Sequence, residues 1–309
     1  MRFYHNLCSI GNQNKQLALA IGNFDGFHRG HQAVIRRLLE ISCANNLCPA
    51  VMIFEPQPRE VFSADAPARI YSLRDKLRAF EGSGVEIVFC MRFNEEFSSL
   101  TPEQYVCDLL KHKLHVKYVT VGSQFYFGCG GKADITVLQD LGVKSGISAE
   151  AIDGIGHEGE RISSTLIRKY LEQGKLDSAC RLLGHPYAIL GKVVHGNAIG
   201  RTMGFPTANV NLRRRKFPLK GVFAVRVRIK DTEYAGVANV GSRPTVMEHQ
   251  KQSLLEVHLF DFAGDLYGKS LEVSFVRKLR DEKKFSGLEE LKGQIQSDLL
   301  TARQVLNGL

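Results

Sequence analysis

Along the first part of the chain, short apolar runs alternate with helix-like segments. "LALAIGNF", "HQAVIRRLLEISCANN", "AVMIFEP", "LRDKLRAFEGSG" and "VEIVFCMRF" follow one another from Leu17, and "VKYVTVG" and "ISAEAID" continue the series. Apolar strands separated by amphipathic helices of about three turns predict an α/β Rossmann-like domain, a parallel sheet with helices on both faces. Beyond about Leu183 the period shortens. In "GVFAVRVRIKD", Phe223, Val225, Val227 and Ile229 fall on one face and Arg226, Arg228 and Lys230 on the other, the two-residue period of a half-buried antiparallel strand. "YAGVANVG", "LLEVHLFDF" and "LEVSFVRKL" read likewise, with glycines between them, which predicts a β-barrel. Leu288, Leu291, Ile295, Leu299 and Leu306 lie near helical spacing and predict a closing helix with one packing face. "EQGKLDSACRLLGHP" reads as a short helix with a Gly and Pro exit, so the expected domains are residues 1–183 and 184–309.

Length and composition fit two cores: 309 residues, 44% hydrophobic. A formal net charge of +9 favours anionic partners, whether nucleic acid, anionic lipid or small phosphorylated compounds. The seven cysteines contain no Cys-x-x-Cys pair, so neither a zinc ribbon nor a disulfide framework is readable. The N-terminus lacks the apolar core of a signal peptide, and no run approaches the roughly 20 apolar residues of a membrane span. The expectation is a cytoplasmic protein without a membrane partner.

Candidate chemistry begins at "AIGNFDGFHRGHQAVI". A strand ends near Gly22, a turn follows, and a helix begins near His31. Gly22, Gly26 and Gly30 let backbone amides approach a ligand, and a helix start favours bound phosphate. His28 and His31, three apart, share a face from which both can donate to phosphate oxygens. Asp25 is either a turn residue or a carboxylate that helps place Mg²⁺.

"GNFDGFHRGH" resembles the His-x-Gly-His signature of the nucleotidylyltransferase superfamily, and its flanks resemble the adenylyltransferase half of bacterial bifunctional riboflavin kinase/FAD synthetases. The resemblance implies that Gly22, Asn23, Phe24, Asp25, Gly26 and Gly30 lie against ATP. It implies that His28 and His31 stabilise the α-phosphate as FMN attacks and pyrophosphate leaves, a transfer that needs positioning and charge neutralisation more than a covalent nucleophile. "IFEPQPREVF" is similar to the family segment in which Pro56, Pro58 and Phe62 shape a flavin pocket. "RISSTLIRKYL" resembles the family's second phosphate grip, implying roles for Arg161, Ser163, Ser164, Thr165 and Arg168. "VGSQFYFG" departs from the family pattern by carrying Gln124 where Asp or Asn is usual; Gln124, Phe125 and Phe127 are the remaining flavin candidates.

"GKVVHGNAIGRTMGFPTANV" resembles the riboflavin kinase signature. By that resemblance Thr207 and Asn209 contact Mg²⁺ and the nucleotide phosphates, and Gly200, Arg201 and Gly204 belong to a flap over phosphate. Hydroxyl and amide oxygens suit Mg²⁺. "LEVHLFDF" resembles the strand that supplies the kinase base. Its alternation turns Glu256 and His258 away from Leu255, Val257 and Leu259, so Glu256 can accept the 5′-hydroxyl proton of riboflavin. In the closing segment Arg280 and Phe285 read equally as flap residues or as a surface charge and a docking aromatic. The run Arg213 to Lys216 reads as a hydrated loop or, as an alternative, a site that attracts anionic nucleotide or nucleic acid.

The expectation is therefore an enzyme making FMN and then FAD from riboflavin and ATP with Mg²⁺. One rival is a kinase whose adenylyltransferase half is impaired at positions such as Gln124. Another is a basic nucleic-acid-binding protein, disfavoured because no RNA-binding aromatic signature is present.

Overall fold

The computed structural model describes residues 1–5, 15–63, 65–154, 156–157, 160–196, 204–212, 216–244 and 251–308, with backbone alone at 157, 242–244 and 251–253. Contacts divide the chain into two compact units, 1–66 with 76–163, and 67–75 with 164–309.

The first unit holds a six-stranded parallel sheet in the order β1-β4-β3-β2-β5-β6. Its strands are β1 (Arg2–His5), β2 (Leu17–Ile21), β3 (Cys48–Glu55), β4 (Ile87–Arg92), β5 (Val116–Gly122) and β6 (Ser148–Ile152). Every residue of β2 is buried, as are the first seven of β3, the continuous apolar run of strands covered on both faces. Edge strand β1 is mostly exposed, and so carries no apolar run that would predict it. Helix α1 (Arg29–Ala44) buries Val34, Ile35 and Leu38. A short hairpin, β7 (Gly156–His157) and β8 (Glu160–Arg161), follows β6.

In the second unit, β9 (Ala188–Val194), β10 (Ala208–Asn211), β11 (Gly221–Ile229), β12 (Thr232–Pro244), β13 (Lys251–Leu259) and β14 (Ser270–Arg280) close an antiparallel barrel in the order β10-β13-β12-β11-β14-β9. Phe223, Val225, Val227, Leu255, Val257, Val273 and Phe275 are buried inside it. Val222, Ala224 and Val237 face outward and pack with Ala302 and Leu306 of the closing helix Leu288–Asn307. Both faces of β11 are thus used, where the alternation of Arg226 and Arg228 predicts one wet face. Buried Asp298 of that helix receives Arg280 through two guanidinium nitrogens at 2.8–3.0 Å.

Residues 67–75 are stitched into this unit. Asp75 accepts the Leu190 amide at 2.7 Å and the Ser72 amide and hydroxyl at 2.7 and 2.6 Å, while the buried Tyr187 hydroxyl donates to the Ile70 carbonyl at 3.0 Å.

Candidate active sites

In an open parallel sheet a ligand crevice lies beyond the carboxyl ends of the strands, where the winding changes direction. Here that point falls between β2 and β5, since β3 and β4 lie on one side and β6 on the other. The histidine turn leaves β2, Ser123–Phe127 leaves β5, and Pro56–Phe62 leaves β3, so separate stretches of sequence meet along one edge.

The turn is tight. Phe24 (φ 48°), Gly26 (φ 87°) and Phe27 (φ 45°) adopt left-handed backbone, which costs about 1–3 kcal/mol at a non-glycine residue. The Phe24 and Phe27 rings both meet Phe80 edge-on, at 5.4 and 5.6 Å, contacts that offset part of this strain. At its end His28 caps α1, its Nδ1 accepting the His31 backbone N–H at 3.3 Å. That bond places the proton of the neutral ring on Nε2, which is left to donate outward. The His31 ring stacks on it with centroids 3.6 Å apart and planes 16° apart.

Burial pulls the His28 pKa down to about 4 against the opposing pull of Asp25. Burial, then the nearby charges of His28 and Lys76, hold His31 well below the ordinary histidine value. Both rings are therefore neutral donors and acceptors at pH 7. Gly22 and Gly30 have an immediate use within the protein: a Cβ on Gly30 would lie 3.1 Å from His28 Cε1, and one on Gly22 would lie 3.3 Å from the Phe24 ring. Asn23 Oδ1 and His31 Nδ1 are buried without a hydrogen-bond partner among the described residues.

Arg161 donates to the Ser123 hydroxyl at 2.9 Å, which ties Arg161 to the loop after β5. Gln124 is exposed and Phe125 half-buried. Phe127 stacks with Phe125 at 5.7 Å but is itself a core residue against Tyr105 at 5.1 Å. Of these two aromatic flavin candidates, Phe127 is therefore packed in the core and Phe125 is the more open. Pro56 follows a cis peptide bond, Pro58 begins a short helix, and the exposed Phe62 meets Phe93 edge-on at 5.7 Å. Ser163 is half-buried, and Ser164 and Thr165 open the helix Ser164–Glu172. Arg168 directs its Nε to the Ala68 carbonyl at 2.5 Å, a long-range bond that its spacing from Ser164 does not predict. Lys76, absent from the sequence reading, is fully buried one helical turn before Phe80. Its charge acts on His31.

The barrel assembles a different kind of site. Asn209 of β10 is the register partner of Glu256 of β13, and Glu256 is also the partner of Asn239 of β12. Directly opposed residues share a face. Their neighbours Leu255, Val257, Ala238 and Val240 are buried on the inner side, so Asn209, Glu256 and Asn239 form a row across the outer face.

Asn209 Oδ1 is buried and has no hydrogen-bond partner among the described residues. A Cβ on Gly196 would fall on the Asn209 amide, so the chain at 196 covers that side chain closely and a larger residue there would push it aside. Thr207 is half-buried just before β10. His258 Nδ1 lies 2.9 Å from the Pro206 carbonyl and so holds the Gly204–Thr207 stretch against β13. Gly204 is left-handed (φ 86°) and exposed, whereas Gly200 and Arg201 lie outside the described residues, as do 213–215 of the basic run. A Cβ on Gly241 would strike the Glu282 carboxylate, which puts the closing segment over β12. Arg280 is held by Asp298 and lies 5.7 Å from the Phe285 ring.

Residues 10–166 match the family model described as FAD synthetase, and residues 183–306 match riboflavin kinase. A bifunctional riboflavin kinase/FMN adenylyltransferase of Escherichia coli (strain K12) is 47% identical over 306 residues, covering 98% of this chain and 96% of that one. The chain belongs to this bifunctional family. A riboflavin kinase/FMN adenylyltransferase of Pseudomonas fluorescens is 44% identical over 304 residues, covering 98% and 97%. A solved structure described as a macrolide-efflux protein from Streptococcus pneumoniae has a TM-score of 0.82 at 30% identity, covering 97% of this chain and 98% of that one. Among the described residues no helix is long and apolar enough to cross a membrane. The paired histidines fall within the FAD synthetase match, and Thr207, Asn209 and Glu256 within the riboflavin kinase match.

Proposed function

We infer that the chain carries out two ATP-dependent steps, riboflavin plus ATP to FMN plus ADP, then FMN plus ATP to FAD plus pyrophosphate. The observation that carries this reading is that each family match coincides with its own cluster of uncommitted polar groups, one at the sheet edge and one on the barrel face.

In the adenylyltransferase site we assign His28 Nε2–H and His31 to the oxygens of the α-phosphate. The turn Gly22–Gly26, Asn23 Oδ1 and the exposed Arg161 line the nucleotide. Because both imidazoles begin neutral, an arriving polyphosphate favours their protonation, and positive charge is gained as negative charge accumulates. The buried Lys76 lies near enough to lower the proton affinity of His31. Pro56, Pro58, Phe62 and Phe125 offer flat apolar surface to the isoalloxazine ring, and Gln124 can both donate and accept there. Ser163, Ser164, Thr165 and Arg168 remain assigned to phosphate.

On the barrel, Glu256 accepts the 5′-hydroxyl proton of riboflavin as the γ-phosphoryl group is transferred. Thr207 Oγ1 and Asn209 Oδ1 are hard oxygens suited to Mg²⁺, and the buried uncommitted Asn209 oxygen is what such an ion would take. Bound there, Mg²⁺ neutralises charge on the transferring polyphosphate. The Gly204 stretch, with Gly200 and Arg201, closes over phosphate. We place the module boundary at Leu183/Gly184 and the protein in the cytoplasm, in keeping with the absence of a disulfide among its described cysteines.

Incubation with riboflavin, ATP and Mg²⁺, resolving products in time, tests the reading. FMN should appear first and FAD with pyrophosphate after it. FMN that never becomes FAD would leave a kinase alone.

A further inference from the structure

The barrel row contains one residue without a role. Asn239 stands directly across from Glu256 on the side opposite Asn209. It is half-buried, and its side chain makes no hydrogen bond to any described residue; the same holds for Glu256. Opposed residues on neighbouring antiparallel strands hold their Cβ atoms about 4.5–5.5 Å apart, within reach of an amide and a carboxylate. The outward neighbour of Asn239 along β12, Val237, is taken up by the closing helix. Asn239 is thus the last polar group of the row before apolar packing begins.

We propose that Asn239 is a positioning residue for Glu256: as substrate binds, the Asn239 amide, directly across the strand pair but not bonded to the carboxylate in this structure, donates to one of its oxygens and leaves the other to take the proton from the substrate hydroxyl. The proposal rests on the assignment of Glu256 as the kinase base. A carboxylate on a flexible side chain has several rotamers and two equivalent oxygens, whereas a base must meet its proton at about 2.6–3.2 Å. Asn209, on the other side of Glu256, is the residue whose buried, unpartnered Oδ1 the proposed site assigns to Mg²⁺. Donation from Asn239 also favours the ionised base. Two other titratable groups share this face, His258 on β13 and Glu282 over Gly241.

The test uses the full chain bearing Asn239→Ala, Asn239→Asp or Glu256→Gln, with conversion of FMN to FAD by the same preparation as the control for enzyme concentration and an unchanged KM for riboflavin as the control for barrel folding. Asn239→Ala should lower riboflavin kinase kcat about tenfold with little change in KM for riboflavin. Its acid limb in the kcat profile should move to higher pH, because a donor to the ionised base is lost. Asn239→Asp should move that limb further, by like-charge repulsion. The profile of Glu282→Gln fixes how much of the limb belongs to Glu282. Unchanged kcat and a stationary acid limb in Asn239→Ala, or a loss confined to KM, would overturn the proposal. A Glu256→Gln protein that still phosphorylates riboflavin would overturn the base assignment beneath it instead.

Discussion

The two sites are built on opposite plans. At the sheet edge the scaffold is fixed in advance: a left-handed turn pinned by Phe24 and Phe27 on Phe80, an imidazole capping a helix, and a second imidazole stacked on it. On the barrel, strand register alone aligns Asn209, Glu256 and Asn239, and their polar atoms await partners. The first plan fixes the protonation state of its groups through burial. The second leaves Glu256 half-exposed, with its orientation to be completed by neighbours and substrate. Adenylyl transfer should therefore be sensitive to packing and to protons, and phosphorylation to register and to neighbouring polar groups.

The sharpest way to break this contrast is to remove one working group from each site. Glu256→Ala should reduce riboflavin phosphorylation about 10²- to 10⁴-fold while conversion of supplied FMN to FAD continues. His31→Ala should reduce FAD formation about 10²- to 10³-fold and spare FMN formation. Equal loss of both activities in either variant would join the two sites.

Glycine substitutions probe the plans with smaller effects. Gly196→Ala drives a methyl group into the Asn209 amide and should lower kinase kcat about tenfold, with FAD formation from FMN intact. Gly30→Ala brings its Cβ to 3.1 Å from the His28 ring. A few tenths of an ångström of adjustment suffices there, so FAD formation should fall a few-fold. Kinetics on both substrates would separate the two variants.

The gentlest probe is acid. The His28 pKa lies near 4 in the folded protein and about 6.5 in an unfolded chain. The unfolded state therefore takes up a proton first as pH falls. The contribution is fully present above about pH 6.5 and is lost progressively toward pH 4, a change of about 3 kcal/mol. Denaturation followed by a probe in the first unit should show stability falling through this window, and His28→Asn should weaken that dependence while leaving the part that buried His31 contributes.

Much of this was legible in the sequence, for reasons that differ between elements. The fully buried β2 and β3 announce themselves as unbroken apolar runs, and Leu176–Leu183 with its Gly184 stop follows ordinary capping rules. Edge strand β1, with three of its four residues exposed, gives no such signal. The histidines and the Thr207–Asn209 pair stand in compact local motifs. Lys76 and Asn239 do not: Lys76 acts on His31 from far along the chain, and Asn239 draws its proposed role from the strand register that sets it across from Glu256. The bonds of Asp75 to Leu190 and of Arg168 to Ala68 belong to the same class, spanning 115 and 100 residues. Phe127 shows the converse, a residue whose motif suggests a ligand wall and whose side chain is part of the core.

The most direct test of two autonomous sites is complementation in solution. His31→Ala and Glu256→Ala proteins, each unable to make FAD from riboflavin, are mixed with riboflavin, ATP and Mg²⁺, and FAD is followed in time. FAD should accumulate after a lag as FMN released by the first variant is adenylylated by the second. FMN that builds up in the mixture without FAD appearing would contradict the account.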